Sequence, residues 1–287
     1  MALVKEGNLF FRKSGRQSAL VVPTYSQIVN GETEVNRGDM RAFLDLEDIT
    51  LSSKYLPQYQ ERIKLFNERA RKSLDIFPDK NGILVGSNCF APLVLREFLP
   101  KNSKLATMYD LEKLGGENPE IFKGFYIDTG LFLRTPGDSY KPNDLLAKDL
   151  AEQLKHRSIN LETPKVIYFG ALDLDKNPES EYGLTYRLNE RAEFGKNIID
   201  APELTSDSMF KTIDERGIPV QDSKGNRQLY TRRDGLSRFS LYWYRYSNVN
   251  SYDRDLADSY DNGQVVVLDA EGVALKNALN RYSARRK

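Results

Sequence analysis

The chain has 287 residues, a formal net charge of +1 and 29% charged residues, which is the composition of an ordinary globular protein. Its 42 basic and 41 acidic residues lack the basic excess that nucleic-acid-binding proteins usually carry, so we expect no nucleic-acid partner. No apolar run reaches the roughly 18 residues of a membrane span, and no signal peptide is evident, so we expect a cytoplasmic location by default. The single cysteine excludes an internal disulfide and a cysteine-rich metal site.

Short apolar segments and helical periodicity alternate in the N-terminal third. Apolar residues predict strands over 18–22 and 83–85. Apolar residues at helical spacing predict a helix over 57–74, and a segment between two prolines predicts a shorter helix over 92–98.

A clear amphipathic helix is predicted over 142–157. Leucines recur every four residues from 146 to 154, and Asn143 or Asp144 is suited to cap the first turn. His156, the only histidine, falls in the last turn, where a cationic side chain interacts favourably with the helix dipole. We therefore interpret His156 as a helix-end residue rather than an acid–base catalyst.

The rest of the chain is richer in strands. Segments 122–127 and 131–135 flank the sequence Asp-Thr-Gly and predict a hairpin with its turn at 128–130. Further strands are predicted over 166–169, 182–188 and 265–268. The last of these is apolar on both faces, so we expect it to be central to a sheet. The pattern is mixed α+β, which we interpret as a single domain over 1–272 followed by a basic tail over 273–287.

Sequence motifs for catalysis and for cofactor binding do not occur. There is no Walker A, GxGxxG, GxSxG or HExxH pattern. The segment 173–177 opens like a calcium loop, but Pro178 and Leu184 stand where an EF-hand needs glycine and glutamate. A solvated acidic turn is the favoured interpretation, and a calcium site of another type is the weaker alternative. We therefore expect no enzyme, no metal ion and no cofactor.

The segment 234–263 has an unusual composition. It contains five tyrosines, five serines, three asparagines, three arginines and the only tryptophan, but no Lys, Glu or Gln. At average usage about five of those three types would be expected in such a window. Tyr and Trp supply contact area with few torsions to freeze, and Ser and Asn supply adaptable hydrogen bonds, as in antibody paratopes. The composition favours a partner-binding surface over an ordinary sheet face with aromatic cross-strand pairs.

Two other functions fit the same segment less well. Interleaved tyrosines and arginines resemble a single-stranded nucleic-acid platform, but five Asp against three Arg give the segment a net negative charge. An Asp-dependent hydrolase would use Asp253 and Asp255, but no matching nucleophile or histidine accompanies them.

Several short motifs in and just after this segment carry a family resemblance. Gly235-Leu-Ser-Arg238, Leu241, Asp255-Leu-Ala-Asp-Ser259 and Gly263-Gln-Val-Val-Val-Leu268 together resemble the C-terminal variable region of archaeal diversity-generating retroelement variable proteins. In that family, adenine-directed errors of a reverse transcriptase rewrite the region as codons ending in C or T. Such codons cannot encode Lys, Glu, Gln or Trp, so Trp243 departs from the rule.

The resemblance implies a fold and a function. The fold is C-type-lectin-like, of the formylglycine-generating-enzyme type, with irregular loops, short antiparallel sheets and peripheral helices. In such folds a C-terminal strand pairs with an N-terminal one, which makes 18–22 the candidate partner of 265–268. The implied function is non-catalytic binding of a protein or glycan target of unknown identity through a hypervariable region over 234–263, with no calcium requirement.

The resemblance also divides the region into framework and contacts. The implied framework is Leu236, Arg238, Leu241, Val249, Leu256, Ala257 and Gly263. The implied variable contacts are Ser237, Phe239, Ser240, Tyr242, Tyr244, Arg245, Tyr246, Asn248, Asn250, Tyr252, Asp253, Arg254, Asp258, Tyr260, Asp261 and Asn262. Trp243 is added to the contacts on its chemistry alone. We expect most of these contact side chains to be exposed and to cluster on one face.

Overall fold

A computed structural model describes residues 9–13, 16–20, 56–67, 77–78, 84–85, 88–99, 103–117, 122–139, 141–231, 235–243, 247–251, 256–257 and 262–269. Its helices are α1 (Leu56–Asn67), α2 (Ala91–Leu95), α3 (Met108–Glu117) and α4 (Asp144–His156). Short 3-10 turns precede α4 at Lys141–Asn143 and follow a strand at Phe169–Ala171. Among the described helices, none combines the length and apolar character needed to cross a membrane.

The helices agree with the sequence patterns that predicted them. The helix predicted over 57–74 is present from Leu56 to Asn67, and its remaining positions lie outside the described residues. The helix predicted over 92–98 is present in shortened form as Ala91–Leu95. Helix α4 buries Leu146, Leu150 and Leu154 against the core, and it carries His156 exposed in its last turn, as predicted.

The strands fall into one large sheet and three small pairs. The strands of the large sheet, in chain order, are β3 (Phe77–Pro78), β4 (Leu84–Val85), β6 (Tyr126–Arg134), β7 (Lys165–Tyr168), β10 (Ile198–Asp200), β11 (Ser208–Ile213), β12 (Pro219–Gln221), β13 (Arg227–Tyr230), β14 (Leu236–Trp243), β15 (Ser247–Asn250) and β16 (Gly263–Gln264). The small pairs are β1 (Leu9–Lys13) with β2 (Arg16–Leu20), β5 (Ser103–Leu105) with β17 (Val267–Asp269), and β8 (Leu172–Lys176) with β9 (Leu184–Leu188).

Strands β14 and β15, which belong to the segment 234–263, lie near the centre of the large sheet. The spatial order is β12-β11-β13-β15-β14-β6-β16-β4-β3, and β7 joins β6 to β10. Most neighbours are antiparallel, but β13 runs parallel to β15, and β16 runs parallel to β6. Together with the helices, this arrangement confirms the α+β class.

Two hydrophobic clusters cover opposite faces of this sheet. The first cluster contains residues of α1, α2 and α4 and of the β8–β9 hairpin, and it packs on Phe132, Ile167 and Leu236. The second contains residues of α3 and of the sheet itself, among them Leu241 and Val249. Because both faces of the sheet are buried, the central strands show little of the alternation of polar and apolar residues that is typical of a sheet with one face in solvent.

Strand β6 corrects the predicted hairpin. The chain does not reverse at 128–130 but continues as one strand from Tyr126 to Arg134. Gly130 adopts a positive φ of 73°. The register against β14 shifts at the same place, since Arg238 pairs with Phe132 and Ser240 pairs with Asp128. The turn-like residues therefore form a bulge, which glycine permits because it lacks a Cβ.

The C-terminal apolar segment corrects a second prediction. We expected 265–268 to be one central strand paired with 18–22. Instead, only the two preceding residues, Gly263 and Gln264, join the large sheet, as β16. Strand β17, which contains Val267 and Leu268, pairs with β5 in a separate two-stranded sheet. Within the described residues, β2 pairs with β1, whereas residues 21 and 22 lie outside them. The apolar residues Val265, Val266 and Leu268 are buried by side-chain packing rather than by a central position in the sheet.

The acidic segment 173–177 corrects the favoured interpretation, since residues 173–176 lie in a strand and not in a solvated turn or a calcium loop. It forms β8 and pairs with β9, the strand predicted over 182–188 and observed from Leu184. Asp173 forms an ion pair of 2.6 Å with Arg96, and Asp175 forms one with Arg187. The described residues contain no cluster of His, Cys, Asp and Glu suited to a metal ion.

Candidate ligand-binding face

The predicted framework of the segment 234–263 is buried. The apolar positions Leu236, Leu241, Val249 and Leu256 have no exposed surface, and Ala257 is 8% exposed. The polar framework positions Arg238 and Gly263 are buried too. The prediction that a sparse apolar skeleton anchors this segment to the core is therefore confirmed.

The first half of β14 corrects part of the predicted contact set. We expected Ser237, Phe239 and Ser240 to be exposed, but their exposed fractions are 0%, 1% and 4%. Phe239 packs in the second hydrophobic cluster, and the Ser240 hydroxyl donates to the carbonyl of Asn250 over 3.2 Å. The physical reason is that both faces of this half-strand are covered, one by the α4 side and the other by the α3 side.

Exposure rises along one face of β14. Leu236, Arg238, Ser240 and Tyr242 share this face because side chains alternate along a strand. Leu236 lies in the first cluster, whereas Tyr242 is 37% exposed. The cover provided by α4 and the β8–β9 hairpin therefore ends before Tyr242, and the strand emerges from the core there.

The neighbouring strands extend this exposed area. In β15, Asn248 and Asn250 are half-buried, whereas Ser247 and Val249 are buried. In β13, Gln228 and Tyr230 are half-buried, whereas Arg227 and Leu229 are buried. Tyr242 lies opposite Asn248 in the β14–β15 pair, and Tyr230 is aligned with Asn250 in the β13–β15 pair.

Met209 of β11 extends the same surface beyond β13. It lies opposite Gln228 in the β11–β13 pair and is 37% exposed. We call the surface formed by Tyr242, Asn248, Asn250, Gln228, Tyr230 and Met209 the open face. On the reverse side of the same strands, Phe210, Leu229 and Val249 have no exposed surface and lie in the second cluster.

Hydrogen bonds between and within the strands hold side chains of the open face in place. The backbone N–H of Gln228 donates to Oδ1 of Asn248 over 2.9 Å, and the Tyr230 hydroxyl donates to Oε1 of Gln228 over 2.7 Å. At the end of β15, the backbone N–H and the hydroxyl of Ser251 both donate to the carbonyl of Tyr230. The six side chains carry no formal charge, so the surface offers aromatic, thioether and amide groups only.

A buried ion pair lies beneath the edge of the open face. Nη1 of Arg238 is 3.3 Å from Oδ2 of Asp128, and each side chain is 1% exposed. The Arg238 guanidinium also lies 5.7 Å from the ring centroid of Tyr126, the residue that pairs with Tyr242. Because both charges are removed from water, this pair opposes any shift of β14 relative to the bulge in β6.

Tyr186 of β9 packs next to this ion pair. Complete burial raises its pKa well above the usual value, and the nearby Cys89 and Tyr182 act in the same direction. Its ring stacks on Phe90 at 5.4 Å and meets Phe132 edge-on at 4.8 Å. The phenol therefore stays neutral and serves the packing of the first cluster.

The remaining predicted contacts lie at the end of β14, between β14 and β15, and between β15 and β16. Asn262 is half-buried, and its Nδ2 donates to the carbonyl of Gly124 over 3.3 Å, so part of its side chain is engaged with the fold. Other predicted contacts lie outside the described residues: Tyr244, Arg245, Tyr246, Tyr252, Asp253, Arg254, Asp258, Tyr260 and Asp261. For Trp243 the structure describes the backbone at the end of β14 but not the side chain.

Two adjoining clefts are lined by residues other than those of the open face. They have volumes of about 500 and 480 Å³ and share the lining residues Ser158, Ile159, Asn160 and Glu162 after α4. In the second cleft Lys165 is 3% exposed and forms a 2.6 Å ion pair with Asp200. The Lys165 ammonium lowers the pKa of the Asp200 carboxyl by its hydrogen bond. This ion pair engages both side chains within the fold.

Sequence reasoning missed the contribution of β11 and β13. Met209, Gln228 and Tyr230 precede the unusual segment, so its composition could not reveal them. Their own sequence carries no clear signal, since Arg227-Gln-Leu-Tyr230 does not alternate polar and apolar residues as a half-exposed strand usually does. The parallel pairing of β13 with β15, which brings these residues to the face, is a tertiary feature.

No protein-family model, no curated protein and no solved structure matches this chain. Its function therefore has to be inferred from its own residues and their arrangement.

Proposed function

We propose that this chain is a non-catalytic target-binding protein whose open face, together with the adjoining connections, contacts a protein or glycan partner. The observation that carries the proposal is the division of the segment 234–263. Its seven framework positions are buried, whereas Tyr242, Asn248 and Asn250 reach solvent on one side of the sheet. A fixed skeleton under variable side chains is what a diversified recognition surface requires.

We further propose that the segment is diversified, as in the variable proteins of archaeal diversity-generating retroelements. The absence of Lys, Glu and Gln from the segment supports a genetic origin for its composition. The buried positions Ser237, Phe239 and Ser240 limit the proposal, because a random side chain there would disturb a packed core. Under the proposal these three belong with the framework, and variation is concentrated from Tyr242 onward.

The fold implied by the resemblance is part of the proposal. A C-type-lectin-like fold of the formylglycine-generating-enzyme type is compatible with the α+β class. The pairing of β17 with β5 departs from the strand pairing that the resemblance implies. An experimental structure of the whole chain tests this point, since it gives the partner of every strand.

The charges of the open face favour a protein or glycan over single-stranded nucleic acid. Its six described side chains are neutral, and Arg238 is engaged with Asp128 in the core, out of reach of a phosphate group. A nucleic-acid groove needs positive charge along the backbone path. Titration with labelled oligonucleotides is expected to show no salt-sensitive binding, and tight binding that weakens with salt would replace the proposal.

The genetic part of the proposal is tested by the neighbourhood of the gene. We expect a reverse-transcriptase gene and a template repeat that nearly matches the codons for 234–263. Mismatches between repeat and gene should coincide with adenines of the template. A neighbourhood with neither element, or mismatches spread over all four bases, would contradict diversification.

A further inference from the structure

The connection from β15 to β16 is held to the fold at both of its ends. At its start, Ser251 donates its backbone N–H to the carbonyl of Tyr230 over 2.8 Å. At its end, the carbonyl of Asn262 accepts from the backbone N–H of Tyr126 over 3.1 Å. These contacts tie the connection to β13 and β6.

A third attachment lies in the middle of the connection, at Leu256. Its carbonyl accepts a hydrogen bond of 3.0 Å from the backbone N–H of Cys89, just before α2. Its own N–H donates to Oδ1 of Asn143 over 3.3 Å. Leu256 itself is fully buried in the first hydrophobic cluster, beside residues of α2 and α4.

Asn143 is diverted from its usual role to make this contact. It occupies the capping position of α4, where an asparagine side chain normally accepts a backbone N–H of the first helical turn. Here its side chain makes no capping bond. Oδ1 instead accepts from Leu256 and from the hydroxyl of Tyr182, the latter over 2.7 Å. The helix gives up a side-chain cap while the connection gains a buried acceptor.

We infer that Asn143 is the positioning residue of the proposed binding region. It fixes Leu256 from outside the diversified segment, between the predicted contacts 252–254 and 258–262. Substitutions in those stretches then leave the middle of the connection in place, because neither Asn143 nor the Cys89 backbone is rewritten with the segment. The inference rests on the proposed function for its purpose but not for its geometry.

Hydrogen exchange at the Cys89 amide tests the geometry. This amide is bonded to Leu256 and not to Asn143, so it reports whether Leu256 keeps its place. In Asn143→Leu, which removes the acceptor at similar size, we expect Cys89 to exchange about tenfold faster, the effect of losing one hydrogen bond. In Asn143→Asp, which retains an acceptor and suits a helix N-terminus, exchange should return towards the wild-type rate.

The matched control is Gln153→Leu, since Gln153 is another amide of α4 that bridges to backbone. Its Nε2 donates to the carbonyl of Tyr186 and its Oε1 accepts from the N–H of Leu188, each over 2.7 Å. This variant should destabilise the β8–β9 hairpin and leave exchange at Cys89 unchanged. Equal acceleration in both leucine variants would reduce Asn143 to a general structural role and overturn the inference.

A second measurement links the inference to the proposed function. In a library randomised at Asp253, Arg254, Asp258 and Tyr260, most clones should resist protease in the wild-type background. In the Asn143→Leu background we expect the resistant fraction to fall several-fold more than in the Gln153→Leu background. An equal fall in both would remove the positioning role. Failure of the proposed function is detected separately, as a gene neighbourhood without a template repeat.

Discussion

The two halves of β14 belong to one strand but to different environments. From Leu236 to Leu241 each side chain is buried, because helices and a hairpin cover one face and the α3 cluster covers the other. From Tyr242 onward one face opens to solvent and joins Asn248 and Asn250 on β15. The comparison shows that a Ser or Phe in a paratope-like segment is not necessarily exposed for contact with a partner. Elements that are remote in sequence cover part of the strand, and their extent decides which of its residues reach solvent.

The largest effect should come from the buried ion pair in the first half. Replacing Arg238 with Met leaves the Asp128 carboxylate buried without its cation, which should cost about 3 to 5 kcal/mol of unfolding free energy. The control is the double variant Arg238→Met with Asp128→Leu, which removes both charges and should recover much of the loss. Chemical denaturation measures both. A loss below about 1 kcal/mol in the single variant would show that the pair is not desolvated.

Leu241 and Tyr242 are neighbours in sequence that the structure separates. Leu241→Ala creates a cavity in the second cluster and should cost about 2 to 5 kcal/mol. Tyr242→Ala removes a side chain from the open face and should cost far less. The free energy of unfolding is measured for both variants under the same conditions. Similar losses would contradict the difference in environment between Leu241 and Tyr242.

Tyr186, which lies in the hydrophobic cluster over the first half of β14, should make the stability of the fold depend on pH in the alkaline range. Burial raises the folded-state pKa of Tyr186, so its contribution is complete below the unfolded pKa of about 10 and is lost as pH rises towards the folded-state pKa. Tyr186→Phe should be within about 1 kcal/mol of wild type at pH 7, since the buried hydroxyl has no hydrogen-bond partner among the described residues. Above pH 10 the variant should lose less stability than wild type.

The comparison variant for the expected effect at pH 7 is Tyr168→Phe. Partial burial raises the pKa of Tyr168 to about 12, and its hydroxyl donates to the carbonyl of Arg216 on the other side of the sheet. This variant loses a hydrogen bond and should be less stable at pH 7. A loss of stability at pH 7 as large in Tyr186→Phe as in Tyr168→Phe would show that the Tyr186 hydroxyl is hydrogen-bonded, against our description.

The smallest effects are expected on the open face itself. Tyr242→Ser should change stability by no more than about 0.5 kcal/mol. Asn248→Ala should cost about 1 kcal/mol because it removes the acceptor for the Gln228 backbone N–H. Denaturation curves for the two variants rank these positions, and a reversed ranking would mean that Tyr242 packs into the fold more than its exposure indicates.

The framework could be predicted from the sequence because its signal is local. Leu236, Leu241 and Val249 stand at intervals among polar residues, and apolar residues in such a setting are buried wherever the segment packs. Helix α4 was equally clear, since leucines every four residues specify one apolar face. His156 at its end then needed no catalytic explanation.

Other features depend on contacts that no local pattern encodes. Asp128-Thr-Gly130 has the composition of a hairpin turn, but within β6 these residues form a bulge opposite β14. Ser237 and Ser240 have the side chains of exposed contact residues, but a hairpin and helices on both faces of the sheet bury them. The apolar segment 265–268 predicts burial correctly, but burial does not specify which strand it pairs with. Met209, Gln228 and Tyr230 join the open face only through tertiary pairing.

Variation among natural copies of this gene tests the central claim most directly. Sequencing many copies from one population gives the amino acids found at each position of 234–263. The account predicts substitutions at Tyr242, Asn248 and Asn250, and constancy at Leu236 and Leu241. Copies that vary equally at buried and open positions, or that do not vary on the open face at all, would contradict it.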